Sequence, residues 1–163
     1  MLYNLSEDVL TVNKEIVLAM PVKGKVLPLT EVNDYLFNKR IMGEGAAISP
    51  EDNFLYSPLD GEVVLVYDSK HAIAIKTEEG LQILIHVGID TVKLEGRGFA
   101  AYVKVGDFVK RGDKLLFFDK DYIEKKASTI IPVVITNPEL TDEININYKA
   151  VKTEDSFINI TLK

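Results

Sequence analysis

The chain carries two histidines, His71 and His86, and no cysteine. They are the residues whose type suits covalent or metal chemistry. A neutral imidazole near pH 7 is a good nucleophile toward phosphorus, and a second imidazole can hydrogen-bond phosphoryl oxygens. Two imidazoles can also share a zinc ion, which needs a third and usually a fourth ligand. Here the zinc signatures His-Glu-x-x-His and His-x-Glu with Cys-x-x-Cys are absent, although Asp90 or a carboxylate from elsewhere could serve. A pair of ordinary, hydrogen-bonded histidines is the third reading. Residue chemistry alone leaves all three open.

The elements that must position the histidines are strands. In "LQILIHV" the residues Leu81, Ile83, Ile85 and Val87 share one face, while Gln82, Leu84, His86 and Gly88 share the other. The first face is wholly aliphatic and belongs in a core, so His86 lies on the mixed, half-exposed face. "SKHAIAIK" precedes it through "TEEG", which predicts a hairpin. A two-residue loop at Glu79-Gly80 sets His71 opposite Gly88, with His86 diagonal to it. A four-residue loop, Thr77–Gly80, sets the histidines opposite each other. A three-residue loop sends them to opposite faces. Two of these registers bring the imidazoles together at roughly 5–8 Å between Cβ atoms.

Period-two alternation continues through "EIVLAM", "GEVVLVY", "DKLLFF", "IIPVVIT", "EININY" and "FINITL". Turn material such as "PVKG", "PLDG", "EGRG" and "RGD" separates the strands. Helical signals are short: "VNDYLFNKRIMG" before Gly43, and "YIEKKA" with Asp121 as its cap. "MGEGAA" lacks the Lys-Ser/Thr of a phosphate loop, so Gly43 and Gly45 read as turn residues. The fold class is therefore all-β, a compact antiparallel sandwich or barrel with one or two short helices. "AMPVKGKVLPL" and "YSPLDGEVVLV" repeat one pattern, with Pro21 and Pro58 at an offset of 37 residues.

A chain of 163 residues, 47% hydrophobic and 27% charged, suits a single globular domain. Its formal net charge of −6 argues against a nucleic-acid footprint and suits basic protein partners. "MLYNLSEDVLTVNKE" reads neither as a signal peptide nor as a basic amphipathic anchor, and no apolar run approaches a membrane span of ~20 residues. The cytoplasm is the expected location.

"SKHAIAIKTEEGLQILIHVGIDTVKLEGRGF" (69–99) resembles the signature of the IIA domain of the glucose family of the phosphoenolpyruvate-dependent sugar phosphotransferase system. The resemblance extends through "FNKRIMGEGAAISP", "YSPLDGEVV", "VKVGDFVKRGDKLLFFD" and "IIPVVITN", covering most of residues 17 to 137. It implies one IIA domain over 1–163, with an N-terminal segment at 1–16 and C-terminal strands at 138–163. The fold it implies is an antiparallel β-sandwich with a duplicated hybrid motif. "NYKAVKTEDSFINITLK" departs from the family pattern in having no glycine, so different strand pairing is expected there.

The resemblance further implies that His86 accepts a phosphoryl group on Nε2 from the phosphohistidine of a small phosphocarrier protein. The group then passes to a cysteine of a permease IIB domain. His71 matches the second active-site histidine, needed for onward transfer. Ser69 falls where the family usually has Thr, whose hydroxyl fixes the second imidazole's tautomer. Asp34 and Asp90 match carboxylates that meet partner arginines, though each also reads as a local cap. Phe37, Ile41, Tyr67, Leu84 and Val92 match the apolar ring around the histidines. No cofactor is implied, and contact with the membrane is indirect, through the permease. A regulatory binding role, sometimes with zinc bridging His71 and His86 in a complex, is the alternative. A two-histidine zinc hydrolase is a third.

Overall fold

The computed structural model describes residues 14–163, so expectations about residues 1–13 lie outside the described residues. The strands in chain order are β1 (Glu15–Ala19), β2 (Gly24–Pro28), β3 (Glu44–Pro50), β4 (Phe54–Tyr56), β5 (Gly61–Val66), β6 (Ala72–Lys76) and β7 (Gln82–His86). They continue as β8 (Phe99–Ala101), β9 (Phe108–Val109), β10 (Lys114–Phe118), β11 (Ile131–Ile135), β12 (Thr141–Ile146) and β13 (Ser156–Leu162). Two short helices, α1 (Tyr35–Asn38) and α2 (Lys120–Glu124), interrupt them.

A seven-stranded antiparallel sheet, in the order β2-β3-β11-β7-β6-β5-β9, forms the main layer. Its outer strands are β2 and β9, and it does not close into a barrel. Two three-stranded sheets, β1-β13-β12 and β4-β10-β8, complete the sandwich. The alternation of strand residues produces two cores. Ile73, Ile75, Ile83 and Ile85 point into the larger one with Leu18, Met20, Leu116, Phe118 and Phe157. Ala72, Ala74, Leu84 and Val134 face the other way, beneath Leu29, Val32 and Phe37.

The sequence repeat has a structural counterpart. Ala19 N–H donates to the Pro58 carbonyl at 2.9 Å, and Tyr56 N–H donates to the Pro21 carbonyl at 2.8 Å. Each donor–acceptor pair maps onto the other by the repeat offset, so the two proline turns face each other. Val26 and Val63, also equivalent in the repeat, both enter the larger core.

Two expectations are corrected, and one open alternative is decided. Gly45 is inside β3, not a turn, and pairs with Val134. A Cβ there would lie 2.0 Å from the Val133 carbonyl oxygen, so glycine permits close strand approach. The cap of α2 is Asp119, whose carboxylate accepts from Tyr122 N–H, rather than Asp121, which lies inside the first turn. The hairpin register pairs Ala72 with His86, which is the three-residue-loop register. Gly80, at φ 96°, closes that loop.

The glycine-free C-terminal turn is built from side chains. Asp155 Oδ2 accepts from the N–H groups of Val151 and Lys152 at 3.0 and 2.9 Å, and Asn147 Nδ2 donates to the Ser156 carbonyl at 2.9 Å. This turn joins β12 to β13, which also pairs with β1.

Candidate active site

By register alone, His71 should lie on the far side of the hairpin from His86. The imidazole centroids are nevertheless 4.8 Å apart, edge to face at 81°. His71 precedes β6, in a bend where strand alternation has not begun. Lys70, before it, is left-handed at φ 58°. Lys70 N–H donates to the Tyr67 carbonyl at 2.8 Å and Tyr67 N–H to the Ala72 carbonyl at 3.0 Å, closing a tight loop. That loop carries the His71 ring over to the His86 face, while His71 O still accepts from Val87 N–H at 2.6 Å.

His86 is the last residue of β7 and is half-buried. Its Nδ1 lies 2.7 Å from the Gly88 carbonyl oxygen. A carbonyl can only accept, so Nδ1 carries the proton and Nε2 of the neutral ring keeps its lone pair. Burial lowers the His86 pKa from its ordinary value, opposed by the Gly88 hydrogen bond and by the Asp34 carboxylate. The neutral ring thus dominates near pH 7.

His71 is only 2% exposed. Its pKa is lowered to about 4, chiefly by burial and secondarily by His86. Nδ1 of His71 is buried without a hydrogen-bond partner. Ser69 sits two residues upstream in the tight loop, but its hydroxyl makes no hydrogen bond to His71. The tautomer-fixing contact expected of Ser69 is therefore absent from this conformation.

The expected apolar ring separates into two tiers. Phe37, buried on α1, packs on His86 at 5.2 Å between ring centroids. Tyr67 stands edge-on to His71 at 5.1 Å and to His86 at 6.5 Å. Leu84, two residues before His86 on the same face, underlies them in the smaller core. Ile41 and Val92 are instead exposed, at 55% and 58%, together with Tyr35 and Leu36, which the sequence reading did not single out. That outer tier is exposed apolar surface, unlike the buried tier beneath it.

Asp34 caps α1, accepting from Leu36 N–H at 2.9 Å, and thereby holds the turn that carries Phe37. Asp90 is exposed and left-handed at φ 62°, and its side chain caps nothing. The acceptor that sequence reasoning missed is the Gly88 carbonyl, a main-chain atom with no residue-type signal beyond the glycine itself.

Among the described residues no three His, Cys, Asp or Glu side chains gather as a metal site. A hydrolytic zinc would find two ligands here and no third. What the arrangement can do is present an unprotonated Nε2, beside a second neutral imidazole, at an apolar surface.

Residues 16–141 match the family model described as phosphoenolpyruvate-dependent sugar phosphotransferase system, EIIA 1. A glucose-specific EIIA component of the phosphotransferase system from Oceanobacillus iheyensis is 50% identical over 132 residues, 80% of each chain. One from Bacillus cereus is 46% identical over 154 residues, 93% of each chain. Among solved structures, glucose permease IIA from Mycoplasma capricolum superposes with a TM-score of 0.83 at 34% identity. That match spans 90% of this chain and 96% of the other.

Proposed function

The chain belongs to the EIIA 1 family of the phosphoenolpyruvate-dependent sugar phosphotransferase system and is a phosphoryl carrier of that system; we propose that His86 Nε2 is the atom that carries the group. The observation that supports this most strongly is the 2.7 Å contact between His86 Nδ1 and the Gly88 carbonyl. It holds the ring's proton on Nδ1 and leaves the Nε2 lone pair nucleophilic.

The Nε2 lone pair attacks phosphorus on the donor's phosphohistidine. The new N–P bond forms as the donor's N–P bond breaks, and the donor imidazole leaves with its electron pair. Onward transfer reverses these roles, with a IIB cysteine thiolate attacking phosphorus and His86 leaving. Little covalent work falls to the protein, so positioning and electrostatics dominate. His71 donates a hydrogen bond to the phosphoryl oxygens. Its unpartnered Nδ1 supports that role, because the ring is not committed to a structural hydrogen bond at that nitrogen.

Phe37, Tyr67 and Leu84 keep the histidines in an apolar setting, and Ile41 and Val92 supply contact area for a small, fast-exchanging interface. Asp34 and Asp90 meet basic groups on the donor and acceptor, consistent with the formal charge of −6. No helix among the described residues is long and apolar enough to cross a membrane. We place the protein in the cytoplasm, reaching the membrane only through the permease. A purely regulatory binding role gains no separate observation from the site.

The test is incubation with phosphoenolpyruvate, the general phosphotransferase enzyme and the phosphocarrier, followed by intact-mass and acid-lability measurement. One acid-labile phosphoryl group per chain is expected, with none in His86→Ala. No uptake, or undiminished labelling in the variant, would sink the assignment.

A further inference from the structure

The loop after His86 contains a buried hydroxyl that the transfer step does not use directly. Thr91 is 0% exposed, and its Oγ1 donates to the Val87 carbonyl at 2.7 Å. Its methyl closes on the neighbouring glycine: a Cβ at Gly88 would lie 2.4 Å from Thr91 Cγ2 and 2.5 Å from the Ser128 carbonyl oxygen. Gly88 itself is left-handed at φ 83°. The following residue is pinned from the other side by a bridge, with Ile89 N–H donating to Ser128 O at 3.0 Å and Ser128 N–H donating to Ile89 O at 3.3 Å.

These contacts converge on one peptide. The Thr91 hydroxyl fixes where Val87 O points, and so fixes the plane of the Val87–Gly88 peptide. The left-handed turn at Gly88 then returns its own carbonyl to the His86 ring. Free imidazole favours the opposite tautomer, with the proton on Nε2. An Nδ1–H ring at this site therefore depends on the Gly88 carbonyl staying within hydrogen-bond reach.

We propose that Thr91 is a positioning residue for phosphoryl acceptance: its hydroxyl, by holding Val87 O, keeps the Gly88 carbonyl on His86 Nδ1 and so keeps Nε2 unprotonated. The inference rests on His86 as the acceptor. It adds a residue whose hydroxyl bonds the Val87 carbonyl, not an imidazole, but selects which nitrogen can react.

Thr91→Val keeps the shape and removes the donor, whereas Thr91→Ser keeps the donor and removes the methyl. Nitrogen-15 shifts of the His86 ring, read on the unphosphorylated protein at pH 7.5 or above, report the tautomer. The rate of phosphoryl uptake from the phosphocarrier reports the consequence. The expected result is a nearly pure Nδ1–H signature in the parent and in Thr91→Ser. In Thr91→Val the tautomers mix and uptake slows on the order of tenfold, as when an orienting partner of a reactive imidazole is lost. Unchanged shifts and rate in Thr91→Val would overturn the proposal. So would an equal loss in Thr91→Ser, which would make packing the operative feature. If Thr91→Val does not fold, Thr91→Ala compared with Thr91→Ser poses the same question with the same two answers. The nitrogen shifts are read without phosphate. A parent protein that takes up no phosphoryl group therefore overturns the assigned function, while the tautomer comparison is decided by its own signal.

Discussion

Two loops close the same end of the β6–β7 hairpin, and each delivers one imidazole. The loop after His86 is committed: Gly88 O holds His86 Nδ1, Thr91 Oγ1 holds Val87 O, and Ile89 bridges Ser128. The loop before His71 is closed only through its backbone, by hydrogen bonds among Tyr67, Lys70 and Ala72, and leaves a buried ring nitrogen unpaired. The difference fits the two duties proposed for these rings. A nucleophile needs its reactive lone pair fixed before the donor arrives. A group that must hold a phosphoryl oxygen in one state and release it in another is better left unpaired.

The sharpest way to break that comparison is His71→Gln. If His71 serves the phosphoryl group and not the nucleophile, the variant still accepts phosphate on His86. Transfer onward to IIB should fall by roughly a hundredfold, within the range for loss of one positioned proton-donating group. Rapid-quench transfer to IIB measures this, and normal onward transfer would merge the two roles.

Gly88→Ala attacks the committed loop. The substitution demands φ near 83° from an L-residue and drives a methyl into Thr91 and Ser128 O. A loss of about 2–3 kcal/mol in denaturant unfolding is expected. An equivalent change at Gly96, also at positive φ but with its nearest neighbour at 3.8 Å, should cost less. Equal costs would show that steric closure of the His86 loop is not what matters.

The smallest effect is a pH dependence. The folded-state pKa of His71, about 4, lies below the ordinary value of 6.5. The unfolded chain therefore binds more protons between those limits. His71's neutrality contributes stability that is fully present above pH 6.5 and is lost as pH falls toward 4. Unfolding midpoints across this window should flatten in His71→Gln. A slope unaltered by the substitution would place the titrating group elsewhere.

The comparison also marks what the sequence could reveal. Strands such as "LQILIHV" and "FINITL" were legible because aliphatic residues recur at every second position between turn signals. β3 was not, because Gly43 and Gly45 read as turns; glycine in β3 answers to the Val133 carbonyl across the sheet, a long-range contact that local pattern does not encode. Asp119 lost the cap of α2 to Asp121 in the sequence reading, an error of two positions typical of helix ends. The chemistry-bearing residues were legible by type, and parity placed His86 correctly on the mixed face. Proximity of His71 did not follow from register. The loop has three residues, and the rings meet because the bend at Lys70 and His71 escapes the pleat. Neither the Gly88 carbonyl nor the Thr91 hydroxyl could be read from residue type. Their parts depend on backbone direction, which only the folded loop defines.

The central claim concerns one nitrogen atom. Long-range hydrogen–nitrogen correlation spectra of the phosphorylated protein identify which ring nitrogen bears phosphorus and which still carries a proton. The account predicts phosphorus on Nε2 of His86, with Nδ1 protonated and still held by the Gly88 carbonyl. Phosphorus on Nδ1 of His86, or on His71, would contradict it.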